Sequence, residues 1–185
     1  VPKYTFVAGH SAGAAQIQAY CNDSSRGVTG QVLYAATLLS AYNNLSYPTP
    51  TLTVGGEKDG MTRITRLAEA AYVYRSAPAK FPVFAIKGAS HMSFASGAPP
   101  RMVRLRDLRP EVNESVAHDA IARVTAGFIR QQATGQAPGD DDEDKRLREE
   151  SSSLLAPMID ALLMEGSHHI QRPCNSDHPS PHCPW

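Results

Sequence analysis

Residues 4–14 read YTFVAGHSAGA, and this stretch decides what kind of fold the chain can form. Its first five residues have the pattern of a short buried strand, and residues 11–20 are compatible with a helix that follows without a loop. Ser11 lies between the two elements, flanked by Gly9 and Gly13. A turn this tight forces the serine into a strained backbone conformation, so we expect both glycines to be needed to avoid a clash. The sequence predicts that the turn lifts the Ser11 hydroxyl clear of the sheet.

Strands and helices alternate in the rest of the chain. Further strands are predicted at residues 31–39, 51–56 and 81–86, which are apolar on consecutive positions, and helices at residues 61–77 and 110–134, where apolar residues recur at helical spacing. Pro110 fits the first turn of the last helix, because N–H groups there have no partner within the helix. The alternation predicts an α/β fold, a three-layer α/β/α sandwich around a mostly parallel sheet.

The composition changes after this domain, which we place at residues 1–134. Residues 135–150, GQAPGDDDEDKRLREE, are too charged to bury apolar area and are predicted to form a linker. The remaining part, residues 151–185, is predicted to hold a short helix and a tail rich in proline, cysteine and histidine. The helix carries one apolar stripe, formed by Leu154, Leu155, Met158, Ile159, Leu162 and Leu163. We expect this stripe to dock on the main domain, with a separate interaction role as the alternative.

Two other residues complete a possible site around Ser11. A serine hydroxyl is a poor nucleophile at neutral pH and needs a histidine to take its proton and a carboxylate to orient that histidine. Asp59 follows the third strand in GGEKDG, and His91 follows the fourth in GASH. Because parallel strands end at one edge of a sheet, we expect Ser11, Asp59 and His91 to meet there, in the chain order serine, acid, histidine. The N–H of Ala12, at the helix start, is the candidate oxyanion donor.

Each of the two partners has competitors. Asp59 could be a plain turn residue before Gly60, and Glu57 is a rival carboxylate. We favour Asp59, because its shorter side chain suits the orientation of an imidazole. For the histidine, His10 belongs to the tight turn itself, and His118 lies in an amphipathic helix where a solvated position accounts for it.

With this constellation, residues 1–131 resemble the carboxyl-terminal half of the α/β-hydrolase superfamily of serine hydrolases. The likeness is greatest to compact members without a cap, such as chlorophyllase-like and dienelactone-hydrolase-like proteins. The resemblance implies an eight-stranded sheet, so that this chain would be truncated at its N-terminus, before Val1. It also implies a second oxyanion N–H from an early loop that would precede Val1. Only residues 40–50 separate the second and third strands, too few for a lid, which predicts an open site.

The resemblance implies hydrolysis of a carboxylic ester through an acyl-enzyme, with a small-molecule ester as substrate and no cofactor. The alternative is a truncated, catalytically impaired remnant that acts as a binding module or has no activity alone. Eighteen basic residues balance eighteen acidic ones, at a pI near 7.2, so charge offers no reason to expect nucleic acid or an anionic membrane. No apolar run reaches the roughly 18 residues that a membrane-spanning helix needs.

The cysteines and three asparagines bear on localisation. Cys174 and Cys183 enclose CNSDHPSPHC, where a local disulfide is plausible, and Asn22, Asn44 and Asn113 stand in N-x-S/T glycosylation motifs. These features favour a secretory or extracellular protein over a cytoplasmic one. A metal site in the tail is a rival interpretation, with the ligands His168, His169, Cys174, His178, His182 and Cys183. Their spacing fits no tight paired pattern, so we expect no metal.

Overall fold

The computed structural model describes residues 3–136 and 141–164. Four strands lie in these ranges: β1 (Phe6–His10), β2 (Gly30–Tyr34), β3 (Thr51–Gly56) and β4 (Val83–Ile86). The α-helices of the same ranges are α1 (Ala12–Cys21), α2 (Ile64–Tyr74), α3 (Arg101–Arg106), α4 (Glu114–Thr134) and α5 (Asp142–Met164). Two short 3₁₀ helices, Ser24–Arg26 and His91–Phe94, complete the set of helical segments in the described part of the chain.

The four strands form one sheet in the order β1, β2, β3, β4, and all three neighbouring pairs are parallel. The predicted α/β class is therefore confirmed. Parallel strands end at the same edge of the sheet, and each of these is followed there by a turn or a helix. This edge is where the chain places Ser11, Asp59 and His91.

Helices cover both faces of the sheet. Val32 and Leu33 are consecutive in β2, so their side chains point to opposite faces. Val32 lies in a buried cluster with residues of α4, such as Val124, whereas Leu33 lies in a second cluster with Ala14 of α1 and Ala70 of α2. Both side chains are almost fully buried. The sheet is consequently sandwiched between α4 on one face and α1 and α2 on the other.

The long helix α5 lies along β4 at the edge of the sheet. The Ser151 hydroxyl of α5 accepts a hydrogen bond from the Ala85 N–H at 2.9 Å, and Ser151 is 3% exposed. Leu155, also buried, packs with Leu67 of α2 and with Ala85. The predicted docking of the leucine stripe on the domain is therefore confirmed. Met158 and Leu163 of the same stripe remain partly exposed.

The prediction of a linker at residues 135–150 is wrong from Asp142 onward, because α5 begins there. Three acidic residues in the first turn suit the positive end of the helix dipole, and Asp141 accepts a hydrogen bond from the Asp144 N–H. Arg146 bonds to Glu143 one turn before it and to Glu150 one turn after it. The charges thus stabilise the solvent-facing side of a helix through pairs one turn apart, in a stretch where the sequence predicts only a polar linker.

Other boundaries also differ from the predictions. β2 ends at Tyr34 and not at residue 39, because Ala35 takes a positive φ of 50° and turns the chain out of the sheet. The helix predicted from Pro110 begins at Glu114, after Asn113, so Pro110 does not lie in its first turn. The helix α3 was not predicted, since the sequence around it is rich in glycine and proline. Among the described residues, no helix is long and apolar enough to cross a membrane.

Candidate active site

Ser11 lies in the sharp turn between β1 and α1. Its φ of 54° and ψ of −121° lie in a region that a residue with a side chain rarely adopts. The Ser11 N–H donates to the Tyr34 carbonyl at 2.9 Å, which extends the pairing of β1 with β2 by one residue. The turn therefore places the serine in a strained conformation at the carboxyl edge of the sheet, as the sequence predicts.

The two flanking glycines differ in their surroundings. A Cβ on Gly9 would lie 2.7 Å from the Ala14 nitrogen. This distance is too short for a carbon atom, and the backbone of α1 cannot move away to relieve the clash. A Cβ on Gly13 would meet no heavy atom within 4 Å among the residues that the structure describes, apart from its chain neighbours and the backbone of its own helix. The expectation of a clash is met at Gly9 and wrong at Gly13, because α1 carries Gly13 outward, where it is exposed.

The structure brings Ser11, His91 and Asp59 into one hydrogen-bonded chain. The Oγ of Ser11 lies 2.9 Å from Nε2 of His91, and Nδ1 of His91 lies 3.0 Å from both carboxylate oxygens of Asp59. A carboxylate only accepts hydrogen bonds, so Nδ1 of His91 carries a proton, and in the neutral tautomer with that proton Nε2 can accept from the Ser11 hydroxyl. The side chains of His91 and Asp59 are 2% and 0% exposed, whereas Ser11 is half-buried.

Asp59 is held by the turn that follows β3. Its Oδ1 accepts hydrogen bonds from the N–H groups of Met61 at 2.8 Å and Thr62 at 2.6 Å. The Thr62 hydroxyl donates to the Ala35 carbonyl at 2.8 Å, which ties this turn to the end of β2. These bonds aim the carboxylate at His91.

The rival carboxylate is occupied elsewhere. Glu57 accepts a hydrogen bond from the Gly88 N–H at 2.9 Å and lies 3.6 Å from the Lys58 ammonium. The carboxylate that contacts His91 is that of Asp59, as predicted from the sequence.

His10 contacts both the backbone and the ring of His91. Its Nε2 lies 3.0 Å from the His91 carbonyl oxygen, and the two ring centroids are 4.9 Å apart. Since a carbonyl only accepts, Nε2 of His10 is the protonated nitrogen. Burial is the main cause that lowers the pKa of His10, so its neutral form is favoured. His118, by contrast, lies on an exposed part of α4 and faces Glu114 at 3.9 Å.

The sequence does not predict the roles of three residues near the site. These are Thr62, Asp107 and His10, whose ring contacts the backbone of His91. Thr62 was detectable in principle, because an aspartate that bonds N–H groups two and three residues later is a common turn pattern. For Asp107 no local signal exists. Its carboxylate reaches the His91 N–H, 16 positions away, and the Gly60 N–H, 47 positions away.

The start of α1 can receive negative charge next to Ser11. Ala12 is the first residue of the helix, so its N–H has no carbonyl partner within it, and the helix dipole adds positive potential. The site thus combines a hydroxyl, an imidazole, a buried carboxylate and an N–H that can bind an anion. Such a set can transfer an acyl group to a serine.

Other predicted features lie apart from this site. Cys174, Cys183 and the histidines of the tail lie outside the described residues. Within the described ranges, no group of three or more potential ligands could hold a metal ion. Cys21 is a free, buried thiol, and burial raises its pKa to about 11, so it is not a reactive thiolate at neutral pH.

No family model, no curated protein and no solved structure matches the chain significantly.

Proposed function

We propose that this protein is a serine hydrolase of the α/β-hydrolase type that cleaves carboxylic esters. The single observation that carries the proposal is the continuous hydrogen-bonded chain from the Ser11 hydroxyl through His91 to Asp59. Its members follow three different strands of one parallel sheet, and the serine is held in a strained turn between strand and helix. A histidine that merely packs in a protein core has no need of this arrangement.

Acylation begins when the Ser11 Oγ attacks the ester carbonyl carbon and Nε2 of His91 takes the hydroxyl proton. Asp59 stabilises the resulting imidazolium through the hydrogen bond at Nδ1. The Ala12 N–H donates to the oxyanion that forms on the former carbonyl. When the carbon–oxygen bond of the ester breaks, His91 returns the proton to the alcohol, which leaves.

Deacylation repeats these steps with water. His91 removes a proton from water as the oxygen attacks the acyl-serine, and then protonates the Ser11 oxygen as the carboxylic acid departs. The reaction is balanced by the ester and water alone and needs no cofactor. Esters are more reactive toward a serine nucleophile than amides, because resonance stabilises the ester carbonyl less than the amide carbonyl.

Covalent labelling tests the proposal directly. A fluorophosphonate probe reacts with a serine only when a base activates it, so we expect labelling at Ser11, located by mass spectrometry of the labelled peptide. Ser11→Ala should abolish labelling and lower the hydrolysis of p-nitrophenyl acetate by on the order of 10⁴-fold or more. The control is Ser152→Ala, because Ser152 is exposed on α5. A folded wild-type protein that is neither labelled nor active would contradict the proposal and favour the alternative of a binding module.

The secretory localisation is proposed on separate grounds. All three asparagines of the glycosylation motifs, Asn22, Asn44 and Asn113, are exposed and therefore accessible to modification. Secretion from eukaryotic cells and treatment with peptide N-glycosidase test this point. We expect a loss of mass on treatment, and an unchanged mass would remove the support that these motifs provide.

A further inference from the structure

We propose that Asp107 is a positioning residue that clamps the turn of the catalytic acid to the turn of the catalytic histidine. The inference rests on the proposed function of Ser11, His91 and Asp59, and it assigns a role to a residue that touches none of their side chains. Asp107 follows α3 directly and lies outside the elements that supply the three site residues.

The carboxylate of Asp107 bonds to backbone on both sides of the site. Its Oδ1 lies 3.0 Å from the Gly60 nitrogen, next to Asp59, and 3.0 Å from the His91 nitrogen. Oδ1 also accepts from the Leu108 N–H at 3.0 Å, and Oδ2 from the Met92 N–H at 3.3 Å. One oxygen atom therefore joins the residue after the acid to the histidine itself.

The packing at Gly60 shows how closely these segments approach. A Cβ on Gly60 would lie 2.0 Å from the Arg106 carbonyl oxygen and 2.8 Å from the Asp107 Cα. The chain around Asp107 thus lies directly on the acid turn, and glycine is required there. Gly60 allows the carboxylate to reach the backbone of both turns at once.

The clamp matters because neither turn is held by the sheet alone. Asp59 and His91 lie beyond the ends of β3 and β4. The bond from the Lys58 N–H to the Ala89 carbonyl at 2.8 Å and the bond from the Gly88 N–H to Glu57 join the two turns just before these residues, whereas Asp107 reaches Gly60 and His91 themselves. The Asp59–His91 bond is the one that orients the imidazole toward Ser11. A displacement of about 1 Å at a reacting group can cost on the order of 100-fold in rate. Loss of the clamp should therefore reduce turnover without removing any group that contacts substrate.

The experiment compares Asp107→Ala with Asp107→Asn in the full chain. For hydrolysis of p-nitrophenyl acetate, we expect the alanine variant to lose roughly 10- to 100-fold in kcat while KM stays within about 2-fold. The asparagine variant should recover part of kcat, since its amide oxygen can still accept from the Gly60 and His91 N–H groups, whereas its NH2 group cannot accept from Met92 as Oδ2 does. If the alanine variant does not fold, Asp107→Ser, which lacks the planar acceptor pair, takes its place.

Asp23→Ala is the matched control, because the Asp23 carboxylate also accepts a backbone N–H, from Ser25, in an exposed turn. It should leave kcat unchanged. A folded alanine variant with wild-type kcat, or an asparagine variant no more active than alanine, would overturn the clamp.

Proton NMR gives a readout that does not depend on turnover. The buried Nδ1 proton of His91 should give a slowly exchanging downfield resonance in the wild type, in Asp107→Asn and in Asp23→Ala, and a weakened or absent one in Asp107→Ala. A wild-type protein that shows this resonance but neither hydrolyses the ester nor reacts with the probe would refute the proposed function and leave the clamp standing. An unchanged resonance in the alanine variant would refute the clamp.

Discussion

At the scale of single residues, the site combines strain with full hydrogen bonding. The strained conformation of Ser11, with φ of 54° and ψ of −121°, costs about 1–3 kcal/mol, and the surrounding bonds hold it in place. The Ser11 N–H is paired with Tyr34, and Ala14 in the first turn of α1 is completely buried. The hydroxyl therefore has a defined position before any substrate arrives, which lowers the cost of reaching the geometry for attack.

Asp59 and Glu57 both follow β3, so substituting each of them tests which carboxylate orients His91. Asp59→Asn should keep the fold but lower kcat by on the order of 10⁴-fold, because an amide cannot hold the same tautomer of His91 or stabilise its imidazolium. Glu57→Gln should change kcat by less than about 3-fold, since Glu57 bonds to Gly88 and not to His91. Steady-state hydrolysis of p-nitrophenyl acetate measures both variants. Equal losses in the two variants would argue against Asp59 as the orienting acid.

The two glycines of the turn should respond in opposite ways to alanine. Gly9→Ala forces a methyl group against the backbone of Ala14 and should destabilise the protein by about 1–3 kcal/mol or prevent folding. Gly13→Ala places a methyl group in open space within α1 and should stabilise by up to about 1 kcal/mol. Urea unfolding followed by circular dichroism measures both changes. A destabilised Gly13→Ala protein would show that the space beside α1 is not open.

At the scale of elements, α5 covers β4, a strand at the edge of the sheet. An edge strand presents unpaired N–H groups that invite association with another chain. The Ser151 hydroxyl accepts the Ala85 N–H of β4, and Leu147 and Leu155 of the same helix join two buried clusters. The helix thus serves as part of the core, although 17 of its 23 residues are charged or exposed.

Neighbouring serines of α5 provide a matched pair for this contact. Ser151→Ala leaves the buried Ala85 N–H without an acceptor and should cost about 1–3 kcal/mol of unfolding free energy. Ser152→Ala removes an exposed hydroxyl and gains helix propensity, so it should be neutral or stabilise by about 0.5 kcal/mol. Thermal and urea unfolding of the two variants decide the matter. The edge contact would be unimportant if both variants unfolded alike.

At the scale of the whole molecule, one buried cluster makes stability sensitive to alkali. Cys21, Tyr47 and Tyr74 belong to the cluster between the sheet, α1 and α2. Burial raises the pKa of Cys21 to about 11 and raises the pKa of both tyrosines above their ordinary value of 10.0. The tyrosine hydroxyls donate to the Gln18 carbonyl and to Asn43. Ionisation of these three groups is therefore disfavoured in the folded protein.

The sign of the pH effect follows from proton binding. Above about pH 9 the unfolded chain releases these protons and the folded chain keeps them, so the unfolded state binds fewer protons and stability falls as pH rises. We expect the urea midpoint to decrease steadily from pH 9 to pH 11. Tyr74→Phe should make this decrease shallower, because one of the three groups is removed. A midpoint constant over that range would contradict the burial of these groups.

Much of the architecture was predictable because its signals are local. Buried strands show as consecutive apolar residues, and the tight turn shows as Gly-x-Ser before a helical pattern. The order of Ser11, Asp59 and His91, each after its own strand, was sufficient to predict that they meet. The end of β2 and the tolerance at Gly13 were not predictable, since the positive φ of Ala35 and the open space beside Gly13 exist only in the folded chain. The start of α5 was missed although its signal is local, in the acidic first turn and in Asp141, which accepts from the Asp144 N–H.

Local sequence preferences set the alternation of strands and helices and place the three side chains after the strands, because backbone preferences and side-chain periodicity act over a few neighbouring residues. How those side chains are held depends on contacts that form only in the folded chain. The clamp by Asp107, the support by His10 and the covering of β4 by Ser151 join positions from 16 to 81 residues apart. Such contacts leave no local pattern, because they exist only once the chain has folded and brought distant backbone and side chains within hydrogen-bonding distance.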